Sequence, residues 1–415
     1  MSRANLHLFL VLILFLAATL IRFYHFPDRI TFGPEQAMSL LISADYLDKP
    51  SLLGQPYFRV TTSGHQLFTA PFFNYALVPL LLLFRFNPLP VTAFFSLLNL
   101  VTAAILYRFA SRHLPWLAAF LATLIFLFNS RMIFHSLFIW ILNFLPLLGL
   151  LNFYFLYRFF ISRFPKFAFG VGFVAGLAFG IEYFYLFTAA VIFTLLIYSS
   201  RTRLKTALVF AAGGSAASLP LILFDLRHDF YHTRTLWQYF LDTLSNSRQS
   251  FITYYHFLNF WPIFVLLGGF ILYRMFQKKH TLLSLILLAA YFYSNLFSSH
   301  VSFSGAVGMP PGLTLAKLEE ASSAIAADAP DRFNVASLLD FNTRAHPLRY
   351  FLRFYYHRQA EAFDNYSSLS ALYVLADSDT DINLPTNYEL RSFYPYRVTI
   401  LDHLDDRYLV YKLTK

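Results

Sequence analysis

Residues 5–23 read NLHLFLVLILFLAATLIRF, an apolar run with no acidic residue and one arginine, Arg22, at its far end. A helix that crosses a bilayer needs about 20 predominantly apolar residues, and this run supplies them. No small-residue cleavage site follows it; the chain continues Ile21-Arg22-Phe23-Tyr24. The run therefore reads as an uncleaved signal anchor. Working outward, similar runs lie at 90–109, 114–130, 137–158, 167–182, 184–200, 206–224, 256–276 and 281–299. Composition agrees. Of 415 residues, 57% are hydrophobic and 13% charged, against about 25% charged in a soluble domain. Aromatic residues reach 20%, with 51 Phe and 27 Tyr, which suits lipid-facing and interfacial positions. The bilayer is the expected solvent for most of the chain.

A tenth apolar run, 67–86, contains Pro71, Asn74 and Pro79. Charge decides whether it crosses. The basic clusters Arg108/Arg112, Arg158/Arg163/Lys166, Arg201/Arg203/Lys205 and Arg274/Lys278/Lys279 fall in every second loop. Short cytoplasmic loops are the ones enriched in Lys and Arg. If 67–86 does not cross, Arg3 joins all four clusters on that side. The expected architecture is thus a polytopic α-helical membrane protein with about nine spans. The N-terminus is cytoplasmic, and 67–86 is interfacial or re-entrant within a first outer loop, 24–89. A second outer stretch is 225–255. Residues 1–299 form the transmembrane part, with 21 Lys/Arg against 8 Asp/Glu. Residues 300–415, with 11 Lys/Arg against 14 Asp/Glu, form a small extracytoplasmic α/β domain. In it, helices are expected at Leu313–Ala327 and Pro347–His357, strands at Phe333–Leu339 and Leu372–Ala376, and a hairpin from Arg397–Leu401 and Tyr408–Leu413. The net charge of +10 and pI near 9.5 follow from loop arginines and lysines rather than a nucleic-acid surface.

Chemistry-bearing residues are sparse. There is no Cys, so thiolate metal sites, disulfides and cysteine nucleophiles are excluded. No phosphate-binding glycine loop, dinucleotide fingerprint or HExxH motif occurs. In the first outer loop, Gly33-Pro34-Glu35-Gln36 opens a helical pattern with Ala37, Leu40, Leu41, Ala44 and Leu47, expected as an amphipathic helix in the interface over 34–48. Glu35 sits in its first turn, where the helix dipole favours a carboxylate. There it could serve as a general base or simply as a dipole partner. Arg131, His135, Arg227 and His228 are basic groups on the side where such residues should be scarce. Guanidinium forks suit a lipid phosphate, though snorkelling to headgroups explains them equally well. Asp225 is expected to pair with Arg227 or a nearby histidine, and Asn143 lies at an outer helix end beside Trp140. Tyr57 and His65 belong to a turn-rich aromatic stretch. Gly172, Gly176 and Gly180, four apart, read as small-residue helix packing.

These features together resemble the GT-C superfamily, glycosyltransferases that use polyprenyl-phosphate-linked sugars. The likeness is to the protein O-mannosyltransferase and aminoarabinose-transferase branch, over about residues 5–230. Pro34-Glu35-Gln36 stands where that branch carries a Pro-Asp-Glu-type motif. Leu53-Gly54 with Tyr57-Phe58, the aromatic helix Pro71–Tyr75, Phe84–Asn87 and Phe224–His228 extend the resemblance. It implies inverting transfer from a polyprenyl-phosphate donor to an extracytoplasmic acceptor, a lipid, glycan or protein of a bacterial envelope. Glu35 would activate the acceptor, and the basic groups would hold the lipid phosphate. A divalent metal is compatible with this chemistry but not required by it. Glu35 with His65 or His228 makes too loose a ligand set. A second acid expected by resemblance aligns with Asn143, and Gln36 replaces an acid too. Some bacterial relatives look alike at both places. The alternatives are a catalytically silent scaffold of envelope assembly and a lipid or glycan transporter. The latter should show internal repeats and ionisable groups within spans, and only Glu182 comes near that description.

Overall fold

Proline and asparagine decide where the helices of the apolar runs begin. In the computed structural model, which describes residues 3–245, 253–339 and 342–415, the first helix α1 (Arg3–Phe23) is followed by short α2 (Phe26–Arg29), α3 (Pro34–Asp45) and α4 (Phe72–Leu83). Then come α5 (Pro88–His113), α6 (Trp116–Leu127), α7 (Ser130–His135), α8 (Leu145–Ser162), α9 (Pro165–Ile181) and α10 (Tyr185–Ser199). The bundle closes with α11 (Arg203–Ala217), α12 (Leu219–Arg227), α13 (Tyr231–Ser245), α14 (Trp261–Gln277) and α15 (Thr281–Leu296). Residues 246–252, inside the expected outer stretch 225–255, lie outside the described residues. Asn87 caps α5 by accepting a bond from the Leu89 amide, with Pro88 at the first helical position, where its missing N–H costs nothing. α5 ends at Leu114, whose extended backbone precedes Pro115.

Among the described residues, four helical stretches are long and apolar enough to cross a membrane: Asn5–Phe23, Pro88–His113, Ile141–Ser162 and Tyr254–Gln277. The pair α11–α12 passes the same test together but is bent by 75°. Pro220, which has no amide hydrogen to donate, opens α12 just past that bend. The apolar helices α4, α6, α9, α10 and α15 are shorter. The expected single span 114–130 is broken instead: Asn129 accepts bonds from the amides of Arg131 and Met132 and starts α7 as a separate helix. Run 67–86 yields only the 12-residue α4, about 18 Å of helix.

Glycine sets the closest packing. A Cβ on Gly172 would lie 2.0 Å from the Phe210 carbonyl oxygen, and one on Gly176 would lie 2.7 Å from that of Gly214. Thus α9 and α11 touch backbone to backbone. Gly269 does the same for α14 against α6, with Ala122 N at 2.5 Å. Two buried arginines tie the end of α1 to its neighbours. Arg22 donates to Ala18 O, Asn99 Oδ1 and Leu127 O. Arg29 donates to Ser302 O, Ile21 O and Tyr24 O.

The segment between α3 and α4 carries a small hairpin, β1 (Pro56–Val60) with β2 (Gln66–Phe68), in a stretch expected only as a turn-rich loop. After α15, residues 334–414 form a mixed four-stranded sheet in the order β3 (Asn334–Ser337), β4 (Ala371–Asp377), β6 (Tyr408–Thr414), β5 (Arg397–His403). β3 and β4 are parallel and the other pairs antiparallel. Three helices accompany the sheet: α16 (Leu315–Asp328), α17 (His346–Phe354) and α18 (Tyr388–Phe393).

α3 departs from expectation. It does not lie free in an interface but is held between α4 and α17. Ala37, Leu40 and Ala44 are buried, and Asn74 of α4 donates to Ser39 O and Ser43 Oγ. From the other side, Arg353 of α17 pairs with Asp45 at 2.6 Å, and Tyr350 and Phe351 pack on Phe32. The small Ser and Ala residues that weaken its amphipathic signal are the ones that let two helices approach.

Candidate functional site

Gly33 and Pro34 launch α3 so that Glu35 falls in its first turn. The Gly33 amide donates to Gln36 Oε1 at 3.0 Å, which closes the helix start and engages Gln36 structurally. Ser39 Oγ donates to the Glu35 carbonyl at 2.9 Å and to Gln55 Oε1 at 2.7 Å. This bracing fixes the turn from which the Glu35 carboxylate projects. That carboxylate accepts the indole N–H of Trp140 at 2.9 Å. Burial pushes the Glu35 carboxyl up to about 7, and the Trp140 N–H acts against the rise.

Glu35 opens into a cavity of about 390 Å³. Gln55, Tyr57 and Trp140 line it on one side, and Glu182, Tyr255 and His256 on another. Its apolar walls include Met38, Leu142 and Phe184. Glu182 caps the end of α9 and accepts the Phe184 amide at 3.2 Å. The His256 ring nitrogen Nδ1 is 3.4 Å from its Oε1, with both side chains largely buried. A cavity with two carboxylates, an imidazole and several phenols beside apolar walls can take a polar, hydroxyl-rich group attached to an apolar chain.

Tyr57 stacks on Tyr183 and points its hydroxyl at the Ile181 carbonyl, 3.4 Å away. Burial among Glu182 and neighbouring tyrosines holds that phenol well above its ordinary value. Behind it, Tyr183 OH meets His232 Nε2 at 2.7 Å, and His232 also contacts Phe68 O.

The basic candidates divide. Arg131 lies over the Tyr254 ring at 4.0 Å. Tyr254 OH is 2.9 Å from His135 Nε2, and the His135 ring packs edge-on against Trp140 at 4.9 Å. Arg131 and His135 do not line the cavity themselves but connect to Glu35 through the chain Tyr254, His135 and Trp140. Burial, with the Arg131 charge nearby, pushes the His135 imidazole down to about 3 despite the Asn143 contact, so it is neutral at ordinary pH. Asn143 donates to His135 O and Phe138 O, bracing the turn that presents Trp140. Arg227 and His228 are exposed at the end of α12 and do not line the cavity. His228 stacks on Phe224. His65 is exposed as well, 3.0 Å from Ser63 Oγ.

Of the two partners expected for Asp225, Arg227 forms no ion pair with it among the described residues, while the nearby histidine is His232: the carboxylate accepts the backbone amides of His232 and Thr233 and the Thr233 hydroxyl, and its charge acts on the His232 imidazole. Asp225 anchors the start of α13, whose free amides attract a carboxylate. Among the described residues, no group of three His, Asp or Glu is placed to hold a metal ion.

Sequence reading passed over Glu182, His256 and Tyr255 as site residues. The available signal was Glu182 itself, the first acid after Asp48 and the lone one in a long apolar region. Its partner is distant in sequence and becomes a neighbour only through the fold.

No family model matches the chain, and no curated protein matches it. Solved structures do. The crystal structure of ArnT from Cupriavidus metallidurans in the apo state superposes with a TM-score of 0.59 at 13% identity, covering 97% of each chain. The structure of ArnT from the same organism bound to undecaprenyl phosphate gives 0.61 at 14% identity, again over 97% of each chain. The fold is therefore that of these ArnT structures, in line with the fold the sequence resemblance implied, and at this identity the likeness is one of fold. That fold, with its long apolar helices, makes the chain an integral membrane protein.

Proposed function

We propose that this chain is an inverting membrane glycosyltransferase that moves a sugar from a polyprenyl-phosphate donor to an extracytoplasmic acceptor, with Glu35 as general base. The observation that carries the reading is the braced Glu35 carboxylate, facing a cavity and brought by burial to about 7. A base is most effective when its pKa lies near the working pH. In the proposed step, the acceptor hydroxyl or amine gives its proton to Glu35 and its lone pair attacks the anomeric carbon. The bond from that carbon to the phosphate oxygen breaks, and the lipid phosphate leaves with the electron pair.

Arg131 is the proposed phosphate partner, with Tyr254 and His135 fixing its place. Arg227 and His228 enter only as exposed groups that meet lipid phosphate at the outer end of α12. Glu182 supplies a second carboxylate to the cavity, which supports an enzyme over a silent scaffold even though Asn143 has a bracing role. The ArnT structure with undecaprenyl phosphate supports the choice of donor class.

The reading includes nine crossings, with the N-terminus in the cytoplasm and residues 300–415 outside the inner membrane. Charge supports it. Arg3 and the four basic loop clusters contain no Asp or Glu. Apart from Glu182, every acid lies in 24–89, 225–255 or 300–415.

The test is transfer of radiolabelled sugar from polyprenyl-phosphate donor in proteoliposomes. Glu35→Gln should lower the rate at least a hundredfold, about the contribution of general-base catalysis. An unchanged rate would remove Glu35 from its role.

A further inference from the structure

At the basic end of the bundle, α5 and α8 splay apart around a second cavity of about 500 Å³. Arg108 and Arg112 line it from α5 and Arg158 from α8, with Phe109, Tyr154 and Tyr157 as its aromatic wall. Ring contacts order this wall: Phe109 packs edge-on to Tyr157, whose hydroxyl lies 3.1 Å from His113 Nδ1. Arg158 contacts the Tyr154 hydroxyl at 3.5 Å. The neighbouring Arg163 is already used, donating to the Ser199 carbonyl.

The three groove arginines have no acidic partner. Among the described residues none of them forms an ion pair. No Asp or Glu is among the described residues that line the groove, and none occurs in the sequence between Asp48 and Glu182. α5 and α8 also both end here, so their carbonyl termini repel an anion and the guanidinium groups alone must attract one. Three guanidinium groups around an apolar, aromatic trough at a membrane surface match a phosphodiester headgroup with its glycerol and first acyl carbons. Basic pockets between membrane helices hold lipid headgroups on this principle, and guanidinium binds phosphate oxygens bidentately.

We infer that the groove between α5 and α8 is a binding site for an anionic phospholipid of the leaflet at the basic end, separate from the Glu35 cavity. The lipid phosphate supplies the counter-charge the groove lacks, and its glycerol region lies against the wall that Phe109 and Tyr154 form. The site does not depend on the glycosyltransferase reading.

The experiment titrates full-length protein in neutral detergent with phosphatidylglycerol or phosphatidylcholine and reads bound lipid by native mass spectrometry. Wild type should hold phosphatidylglycerol in clear preference. The variant R108Q/R112Q/R158Q should bind it about a hundredfold more weakly, at about tenfold or less per basic residue near a headgroup. The variant R201Q/R203Q/K205Q, altered in a basic loop outside the groove, should bind as wild type does. Equal weakening in both variants would reduce the effect to general surface charge and overturn the site. Should the first variant not fold, the wild-type arms still decide. No preference over phosphatidylcholine would overturn the proposal. So would displacement of phosphatidylglycerol by millimolar inorganic phosphate, or by a trace of polyprenyl phosphate, the latter assigning the groove to the lipid carrier.

Discussion

Glu35 and Trp140 form the contact on which the proposed chemistry turns. Removing the indole N–H while keeping a ring, as in Trp140→Phe, takes away the one interaction that holds the Glu35 carboxyl down. The acidic limb of the pH–rate profile, expected near pH 7 in wild type, should then move to higher pH, with a several-fold loss of rate at neutral pH. A limb that stays in place would separate Trp140 from the base. The same burial has a stability consequence. The folded-state value is raised from 4.5 to about 7, so the native state binds this proton more tightly than the unfolded chain. Its stabilising contribution is complete below about pH 4.5 and is lost as pH rises through 7. Glu35→Gln should therefore melt at a higher temperature than wild type at pH 8, with the gap closing toward pH 5. A base retained at a cost in stability is what a functional site leads one to expect. Glu35 was legible because Gly-Pro-Glu names a helix start without reference to anything distant. Glu182 and His256 were not, because their pairing depends on where α9 and the segment before α14 meet.

At the scale of elements, helix existence was legible from apolar runs and helix ends were less so. The run 114–130 hides a break that only the capping side chain of Asn129 explains, and 206–224 hides one that Pro220 marks in the sequence. The hairpin of β1 and β2 was unreadable as strands. Its residues lack clean alternation and are placed by contacts such as Tyr231 OH to the Gln66 backbone. Two predictions belong here. Gly172→Leu would drive a side chain into the Phe210 carbonyl and force α9 from α11. Overpacking of this kind costs about 1–3 kcal/mol or more, seen as loss of monodisperse protein or a lower Tm in detergent, while Ala212→Leu at an exposed position of α11 should be silent. Asp225→Ala would free the amides at the start of α13. A lost cap is worth about 1 kcal/mol, and faster hydrogen exchange confined to residues 231–245 would report it.

For the whole molecule, the sequence separated an apolar bundle from a polar C-terminal part but could not show how they join. The joint is α3. Its small-residue face receives α17, so the helix that carries Glu35 is clamped between the bundle and the C-terminal sheet. Movement of the sheet relative to the bundle would therefore reach the candidate base directly. This coupling requires residues 300–415 to share a side of the membrane with Glu35, and the proposed topology puts both on the side opposite the basic loops. The absence of Cys makes the arrangement easy to test, since any single cysteine is introduced into a background with no other thiol. Ser367 in the C-terminal part and Thr202 in a basic loop are both exposed. In intact cells with an accessible inner membrane, a membrane-impermeant maleimide should label S367C at once. T202C should be labelled only after permeabilisation. Labelling of both without permeabilisation would leave an odd number of crossings between them untenable. The reverse pattern would turn the molecule over, placing Glu35 and its cavity in the cytoplasm, where a transfer to an extracytoplasmic acceptor could not take place.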